Sequence, residues 1–181
     1  MPTAKMKVEI WSDVMCPFCY IGKRKFETAL AQMPDSSAIE VTWKSFQLQP
    51  DLVTDPSKNT ITHLAESKGW TMDYTRQAIG HVIQMAEGVG LQYNFDKAVV
   101  ANSFDAHRLS HYATAMGKGN EMEEELFKAM HDAEHSYEAW QKMKDQLLRA
   151  LAEAENTRRR AERPAHGRAR RDPESLLPAQ C

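Results

Sequence analysis

The chain carries, over residues 8 to 23, the run Val8-Glu9-Ile10-Trp11-Ser12-Asp13-Val14-Met15-Cys16-Pro17-Phe18-Cys19-Tyr20-Ile21-Gly22-Lys23. Its alternating apolar start is typical of a strand, and the two cysteines that follow have a spacing that allows a small disulfide. Pro17 favours a helix that begins beside Cys16, because proline presets φ for the first turn and lacks an N–H that would be unpaired there. The pattern therefore predicts a strand that runs directly into a helix with a thiol pair at its first turn.

A thiol pair at a helix start has a characteristic chemistry. Unpaired N–H groups and the helix dipole stabilise an anion there, so we expect a lowered pKa for Cys16, which would be the nucleophile. Cys19, one turn deeper, would be the resolving thiol. The alternatives are a pair of buried structural thiols and half of a zinc site. Zinc is disfavoured because no second Cys-x-x-Cys supplies the remaining ligands, so we expect no metal.

The rest of the chain predicts an α/β protein that is mostly helical by content. The first helix should end near Met33, and the alternating segment from Ile39 to Phe46 predicts a second strand, parallel to the first through a right-handed crossover. Residues 50 to 59 have loop composition. Helices are then expected at residues 61–68, 72–87, 103–116 and 121–155, the last capped by Asn120. Residues 156–181, rich in Arg and Pro, are expected to be a disordered tail.

Three segments resemble a known family. The run from Asp13 to Lys23 is similar to the active-site segment of DsbA-like thioredoxin-fold oxidoreductases, and among them to the FrnE-like branch. This branch is similar to 2-hydroxychromene-2-carboxylate isomerases and kappa-class glutathione transferases, which carry a helical domain inserted into a thioredoxin fold. The other two matches are Phe46-Gln47-Leu48-Gln49-Pro50 and Asn102-Ser103-Phe104-Asp105-Ala106-His107-Arg108-Leu109.

The resemblance covers about residues 6 to 130 and implies a domain organisation. Residues 1–50 would form the first βαβ half of a thioredoxin-like domain, and residues 51–155 would form the helical insertion. The family would continue through two more strands, a final helix and a cis-proline loop. No counterpart of these elements is recognisable in the sequence after residue 130, so the C-terminal part of the family's domain is expected to be missing.

The resemblance and the strand ends together indicate the site residues. Cys16 and Cys19 are the expected catalytic pair. Supporting roles fall to Asp13, Pro17, Phe18 and Tyr20. A substrate pocket is expected from Trp11, Phe46, Leu48, Asn102, Asp105 and His107. Packing is the competing interpretation for several of these, above all for Trp11, which we expect to lie in the core together with Trp43.

One further motif lies in the predicted last helix. The run His131-Asp132-Ala133-Glu134-His135 matches the His-x-x-Glu-His pattern of some zinc enzymes, which places two imidazoles on one helix face. A five-residue match arises easily in a helix rich in His and Glu. We therefore expect solvated histidines rather than metal ligands.

These residues predict thiol-disulfide exchange with a protein or a small-molecule disulfide, through a mixed disulfide on Cys16 that Cys19 resolves. One alternative is a glutathione-linked isomerase or transferase of the same fold, in which glutathione would be a substrate rather than a cofactor. Another is a catalytically weak remnant of the domain. The presence of both cysteines favours the oxidoreductase.

Composition bears on partners and location. The sequence has no apolar run of about 18 residues and no hydrophobic signal region before the first strand, so we expect a cytoplasmic protein without a membrane partner. A net charge of −2 favours no nucleic-acid partner, although seven of the eleven arginines lie between residues 158 and 171. A sheet reduced to the parallel pair at residues 7 to 12 and 39 to 46 leaves an edge strand unpaired, which is expected to permit self-association.

Overall fold

The thiol pair lies in a strand-helix-strand unit. A computed structural model describes residues 6–131 and 137–162. Strand β1 (Met6–Ser12) leads into helix α1 (Pro17–Ala31), and β2 (Ile39–Ser45) returns parallel to β1 after a short 3-10 turn at Ser36–Ala38. The register runs from Met6 opposite Ile39 to Ser12 opposite Ser45. The predicted parallel βαβ unit is therefore present.

The segment after β2 differs from the prediction. Residues 50 to 59 were expected to be loop, but they contain strand β3 (Asp55–Asn59), which pairs antiparallel with β4 (Val99–Val100). Two residues of β4 are too few for a periodic signal, and Asp, Pro, Ser and Asn are poor strand formers. The pairing therefore depends on tertiary contacts that propensity does not encode.

Four further helices lie close to the helical segments that the sequence predicts. They are α2 (Thr60–Lys68), α3 (Met72–Glu87), α4 (Phe104–Ala115) and α5 (Gly119–His131). The Asn59 side chain accepts a hydrogen bond from the N–H of Ile61 to cap α2, and Gly69 ends that helix at a φ of 66°, where a side chain would be strained. The Thr71 hydroxyl caps α3 in the same way.

The end of the chain corrects two expectations. The predicted helix over residues 121–155 begins earlier than expected: α5 runs from Gly119 to His131, with Asn120 inside it rather than at its cap. Helix α6 (Tyr137–Glu162) then continues past the expected boundary at residue 156. Arg158 and Arg159 both pair with Glu155 one turn earlier, which supports the helix there. The remainder of the expected tail, residues 163–181, lies outside the described residues.

The core lies between α1 and the helices that follow β2, which are called the insertion here because they fall in the segment expected to be inserted. Phe127 of α5 is fully buried and stacks on Tyr20 of α1 with ring centroids 4.9 Å apart, and Trp43 of β2 meets Phe127 edge to face. Ile21, Ala86, Leu91 and Tyr93 lie in the same cluster as Tyr20 and Phe127. A second cluster joins Val14 to Ala106, Leu109 and Leu126. Both clusters place insertion residues directly against the segment that carries the cysteines.

Among the described residues, no helix combines the length and apolar character needed to cross a membrane.

Truncation of Phe127 tests this core. Because the ring is fully buried between Tyr20 and Trp43, Phe127→Ala should lower the free energy of unfolding by about 3–5 kcal/mol. Phe104→Ala is the matched control, since that ring is 58% exposed and its loss should cost less than about 0.5 kcal/mol. Urea unfolding followed by circular dichroism measures both values. Equal losses in the two variants would contradict the placement of the core.

Candidate active site

The start of α1 holds the thiol pair as the sequence predicts. Cys16 is the capping residue, with extended backbone angles of φ −86° and ψ 113°, and Pro17 is the first helical residue. The N–H of Cys16 donates to the carbonyl of Asp13 at 2.9 Å, and the N–H of Cys19 donates to the carbonyl of Cys16 at 3.0 Å. This tight turn places both sulfurs on the same first helical turn.

Both cysteines are free thiols, and their sulfurs are hydrogen-bonded to each other. This bond lowers the pKa of Cys19 to about 6 and raises the pKa of Cys16. The expectation of a lowered pKa at Cys16 is therefore wrong for this arrangement. The N–H groups at the helix start do favour a Cys16 anion, as expected from the sequence. The hydrogen bond in which the Cys16 thiol donates to the Cys19 sulfur has the opposite effect, and it outweighs them. After the first proton is lost, the two sulfurs share the remaining one, so the pair titrates as a unit.

Asp13 anchors the turn that carries the cysteines. Its buried carboxylate accepts hydrogen bonds from the N–H of Met15 at 3.2 Å and the N–H of Leu48 at 2.7 Å. Burial by itself would raise the pKa of Asp13, but the close approach of the His107 imidazole and the hydrogen bonds from Leu48 and Met15 outweigh it and lower the pKa. Asp13 is thus an ionised side chain that ties the cysteine turn to the segment after β2.

Behind Asp13 lies a buried polar cluster contributed by the insertion. His107 of α4 has its Nε2 atom 3.4 Å from Asp13 Oδ1. Glu123 of α5 is also buried, and its Oε1 atom accepts a hydrogen bond from the Ser110 hydroxyl at 2.5 Å. Burial raises the pKa of Glu123, partly opposed by Ser110 and by the nearby imidazole of His107. His107 therefore belongs to the support of the turn rather than to an open pocket.

An apolar surface surrounds the pair. Four large side chains from the predicted site are mostly exposed there, namely Trp11, Phe18, Phe46 and Leu48. The expectation that Trp11 packs in the core is wrong, since its side chain is 65% exposed, whereas Trp43 is buried as expected. A groove of about 320 Å³ opens between β1 and α1, lined by Cys19 together with Trp11, Phe26 and Trp43.

Asn102 and Asp105 do not line this groove. The Asn102 side-chain amide donates to the carbonyls of Pro50 and Leu52, and its oxygen accepts from the N–H of Phe104. Asp105 pairs with Arg108 on the surface of α4. Asn102 thus fastens the segment after β2 to the start of α4, and the expectation that these two residues contact substrate is not supported by their positions.

The fold and this thiol turn agree with comparisons to known proteins. A model of the DsbA-like thioredoxin domain family matches residues 7–176. The chain belongs to this family. The match extends well beyond residue 130, where we expected the resemblance to end.

Two known proteins are similar to this DsbA-like chain in structure or in sequence. A solved structure, described as a probable DsbA oxidoreductase from Streptomyces coelicolor, superposes with a TM-score of 0.70 at 28% identity, covering 81% of this chain and 68% of the other. The uncharacterized protein YwbO of Bacillus subtilis is 30% identical over 129 residues, which cover 67% of this chain. The chain spans 54% of the length of that curated relative. Membership of the FrnE-like branch remains a prediction.

Three residues hold the pair from the other side: Tyr93, which was assigned no role from the sequence, His131, which was expected to be solvated, and Tyr20, which was expected to support the site. Tyr93 donates from its hydroxyl to the carbonyl of Pro17 at 2.8 Å, and burial raises its pKa so that the proton stays in place. His131 lies 2.8 Å from the carbonyl of Val14 and packs among Tyr20, Tyr93 and Phe127. Tyr20 is buried and donates to Glu124, so it supports the helix from the core.

The expectation of a solvated histidine at position 131 is wrong, because its half-buried ring packs against three aromatic rings. The partner in that motif, His135, lies outside the described residues. Within the residues that the structure describes, no group of three or more His, Cys, Asp or Glu side chains has the arrangement of a metal site. No single-sequence signal could have found Tyr93, since a lone tyrosine in a link between helices has no pattern.

The burial of His131 predicts an acid sensitivity. Burial lowers its pKa to about 4, below the value of about 6.5 expected in the unfolded chain. Between these values only the unfolded state binds the proton, so stability should fall as the pH falls from about 6.5 to 4. His131→Gln keeps a hydrogen-bond donor without titrating. It should remove about 2 kcal/mol of the stability loss between pH 7 and pH 4.

Urea unfolding at pH 7, 5.5 and 4 measures this effect. The control is His81→Gln, which removes an exposed histidine from α3 and should leave the pH dependence of the parent protein unchanged. A parent protein and a His131→Gln variant that lose equal stability on acidification would refute the assignment.

Proposed function

We propose that the chain is a thiol-disulfide oxidoreductase in which Cys16 and Cys19 exchange disulfides with a substrate. The observation that carries this proposal is the hydrogen-bonded thiol pair at the first turn of α1, where one thiol has a pKa of about 6. Such a pair is substantially thiolate at neutral pH, and the thiolate is the reacting form. Membership of the DsbA-like family supports the same class of chemistry.

The proposed reaction is balanced in its thiols. The Cys16 thiolate attacks one sulfur of a substrate disulfide, which forms a mixed disulfide and releases the other substrate sulfur as a thiolate. Cys19, as a thiolate, then attacks the Cys16 sulfur and releases the second substrate thiol. The cysteine pair is oxidised to a disulfide, the substrate gains two electrons, and the reverse sequence oxidises a dithiol.

Cys16 is the proposed nucleophile although the lower pKa lies at Cys19. The N–H groups of Phe18 and Cys19 face the Cys16 sulfur and favour its anion, so transfer of the shared proton to Cys19 exposes a stabilised thiolate. Both cysteines are half-buried, and Cys19, on the turn behind Cys16, packs against the core cluster of Tyr20, Ile21 and Phe127. The resolving role therefore fits Cys19.

Trapping of the mixed disulfide tests this assignment. In a Cys181→Ser background, which removes the third cysteine, reduced protein is mixed with glutathione disulfide and followed by mass spectrometry. Cys19→Ser should accumulate a glutathione adduct at Cys16, whereas Cys16→Ser should form little adduct. In the parent pair, the rate of disulfide formation should rise between about pH 5 and 7 as the first proton is lost. Equal adduct formation in the two serine variants would reverse the assignment.

For substrates, we propose a small disulfide in preference to a folded or extended protein. The exposed apolar surface at Trp11, Phe46 and Leu48 offers contacts for a peptide. However, β1 pairs only with β2 among the described residues, so no neighbouring strand on its other edge helps to align a substrate backbone. The same open edge supports a proposal that the chain self-associates through β1.

A comparison of two substrates checks this preference. Exchange with glutathione disulfide should be rapid, insulin reduction should be slow, and sedimentation velocity at micromolar concentration should show species larger than a monomer. Trp11→Ala should slow insulin reduction further, while Trp70→Ala is the control, because Trp70 meets Tyr74 edge to face outside the groove. Fast insulin turnover by a clean monomer would contradict both the substrate and the self-association proposals.

A further inference from the structure

Asp13 lies where three segments of the molecule meet. It follows the last residue of β1, its carboxylate holds the N–H of Leu48 after β2, and the imidazole of His107 approaches it from α4. Met15, which also donates to this carboxylate, directly precedes Cys16. Any movement of the Asp13 side chain would therefore be passed to the cysteine turn and to the apolar surface at Leu48 together.

His107 is buried in a way that needs an electrostatic reason. Its side chain is 6% exposed, and among the described residues neither ring nitrogen makes a hydrogen bond of standard geometry. A buried imidazole without a partner is costly, and an apolar residue of similar volume would pack in its place without that cost. The contact that distinguishes the position is the Nε2 atom, 3.4 Å from Asp13 Oδ1.

A second buried carboxylate, on α5, also lies near His107. Glu123 of α5 is buried, its Oε2 atom has no hydrogen-bond partner in the described part of the chain, and the imidazole of His107 favours its ionised form. His107 therefore lies near two buried carboxylates, 3.4 Å from that of Asp13 and close enough to that of Glu123 to favour its ionised form. Cys19 and His131 also face Asp13, and Lys23 and Cys19 also face Glu123.

We propose that His107 is a positioning residue for the thiol pair, which holds Asp13 in the orientation that fastens Met15 and Leu48. Through this contact the helical insertion controls the geometry of the cysteine turn and the negative potential beside Cys19. The inference deepens the proposed oxidoreductase function and assigns His107 a role away from substrate.

Two substitutions separate this role from simple packing. His107→Leu fills the space but cannot donate to Asp13, whereas His107→Gln can place an amide N–H near the position of Nε2. The first-thiol pKa is measured from thiolate absorbance in reduced protein, and amide hydrogen exchange is measured at Met15 and Leu48. The control is His81→Leu, which changes an exposed histidine of α3.

In His107→Leu the Asp13 charge is no longer offset, and this charge opposes ionisation of Cys19. The titration midpoint should therefore rise by about one pH unit, a tenfold loss of thiolate below the midpoint. The Met15 and Leu48 amides should exchange faster. His107→Gln should recover most of both effects, and His81→Leu should match the parent protein. A leucine variant that behaves as the parent, or a glutamine variant no better than leucine, would overturn the inference.

A measurement on the parent protein covers the case in which His107→Leu does not fold. Nitrogen-15 shifts of the His107 ring should show a proton on Nε2, and an unprotonated Nε2 would refute the contact. These readouts need no substrate. A chain that shows them but forms no mixed disulfide with glutathione disulfide would refute the proposed function and leave the role of His107 standing.

Discussion

The packing of Tyr20 against Phe127 is the contact on which the rest of the structure depends. Tyr20 follows Cys19 on α1, and Phe127 belongs to α5 of the insertion, so one pair of stacked rings joins the thiol helix to the helical part. Aromatic pairs of this kind bury large areas and fix the relative orientation of the elements that carry them. The βαβ unit alone has two strands and one helix, which is too little to bury an adequate core.

The contact between α1 and α5 also contains charged side chains. Beyond the aromatic stack, Lys23 and Arg24 both pair with Glu124 of α5, and Lys23 is almost completely buried. Buried ion pairs of this type contribute little net stability, because desolvation offsets the attraction, but they favour one arrangement over others. The charge of Glu124 is compensated by Lys23 and Arg24. Asp13 and its neighbours, rather than Glu124, therefore set the negative potential at the thiol pair.

The sequence was most informative where the signal is local. The spacing of the cysteines predicts the thiol turn, and the alternating apolar residues predict the parallel strands. Helical periodicity and capping chemistry predict the bounds of α3 and its cap at Thr71. All of these signals act within a few residues. The sequence was misleading where the partner is distant. Trp11 looked like a core residue and is exposed, while His131 looked solvated and is packed among three aromatic rings. Both outcomes depend on which elements meet, and single-residue chemistry does not encode that.

Strand β1 both lines the groove beside the thiol pair and has an exposed backbone edge. In the described residues the same strand supplies Trp11 to the groove and leaves its own backbone edge unpaired. A groove beside Cys19 must stay open for a disulfide to reach the pair, but an open apolar edge also favours association with other chains. The insertion covers α1 on the Tyr20 face and leaves the Phe26 face toward this groove. Access to the thiols and protection of the sheet therefore compete for one surface, and in the described residues the surface is arranged for access.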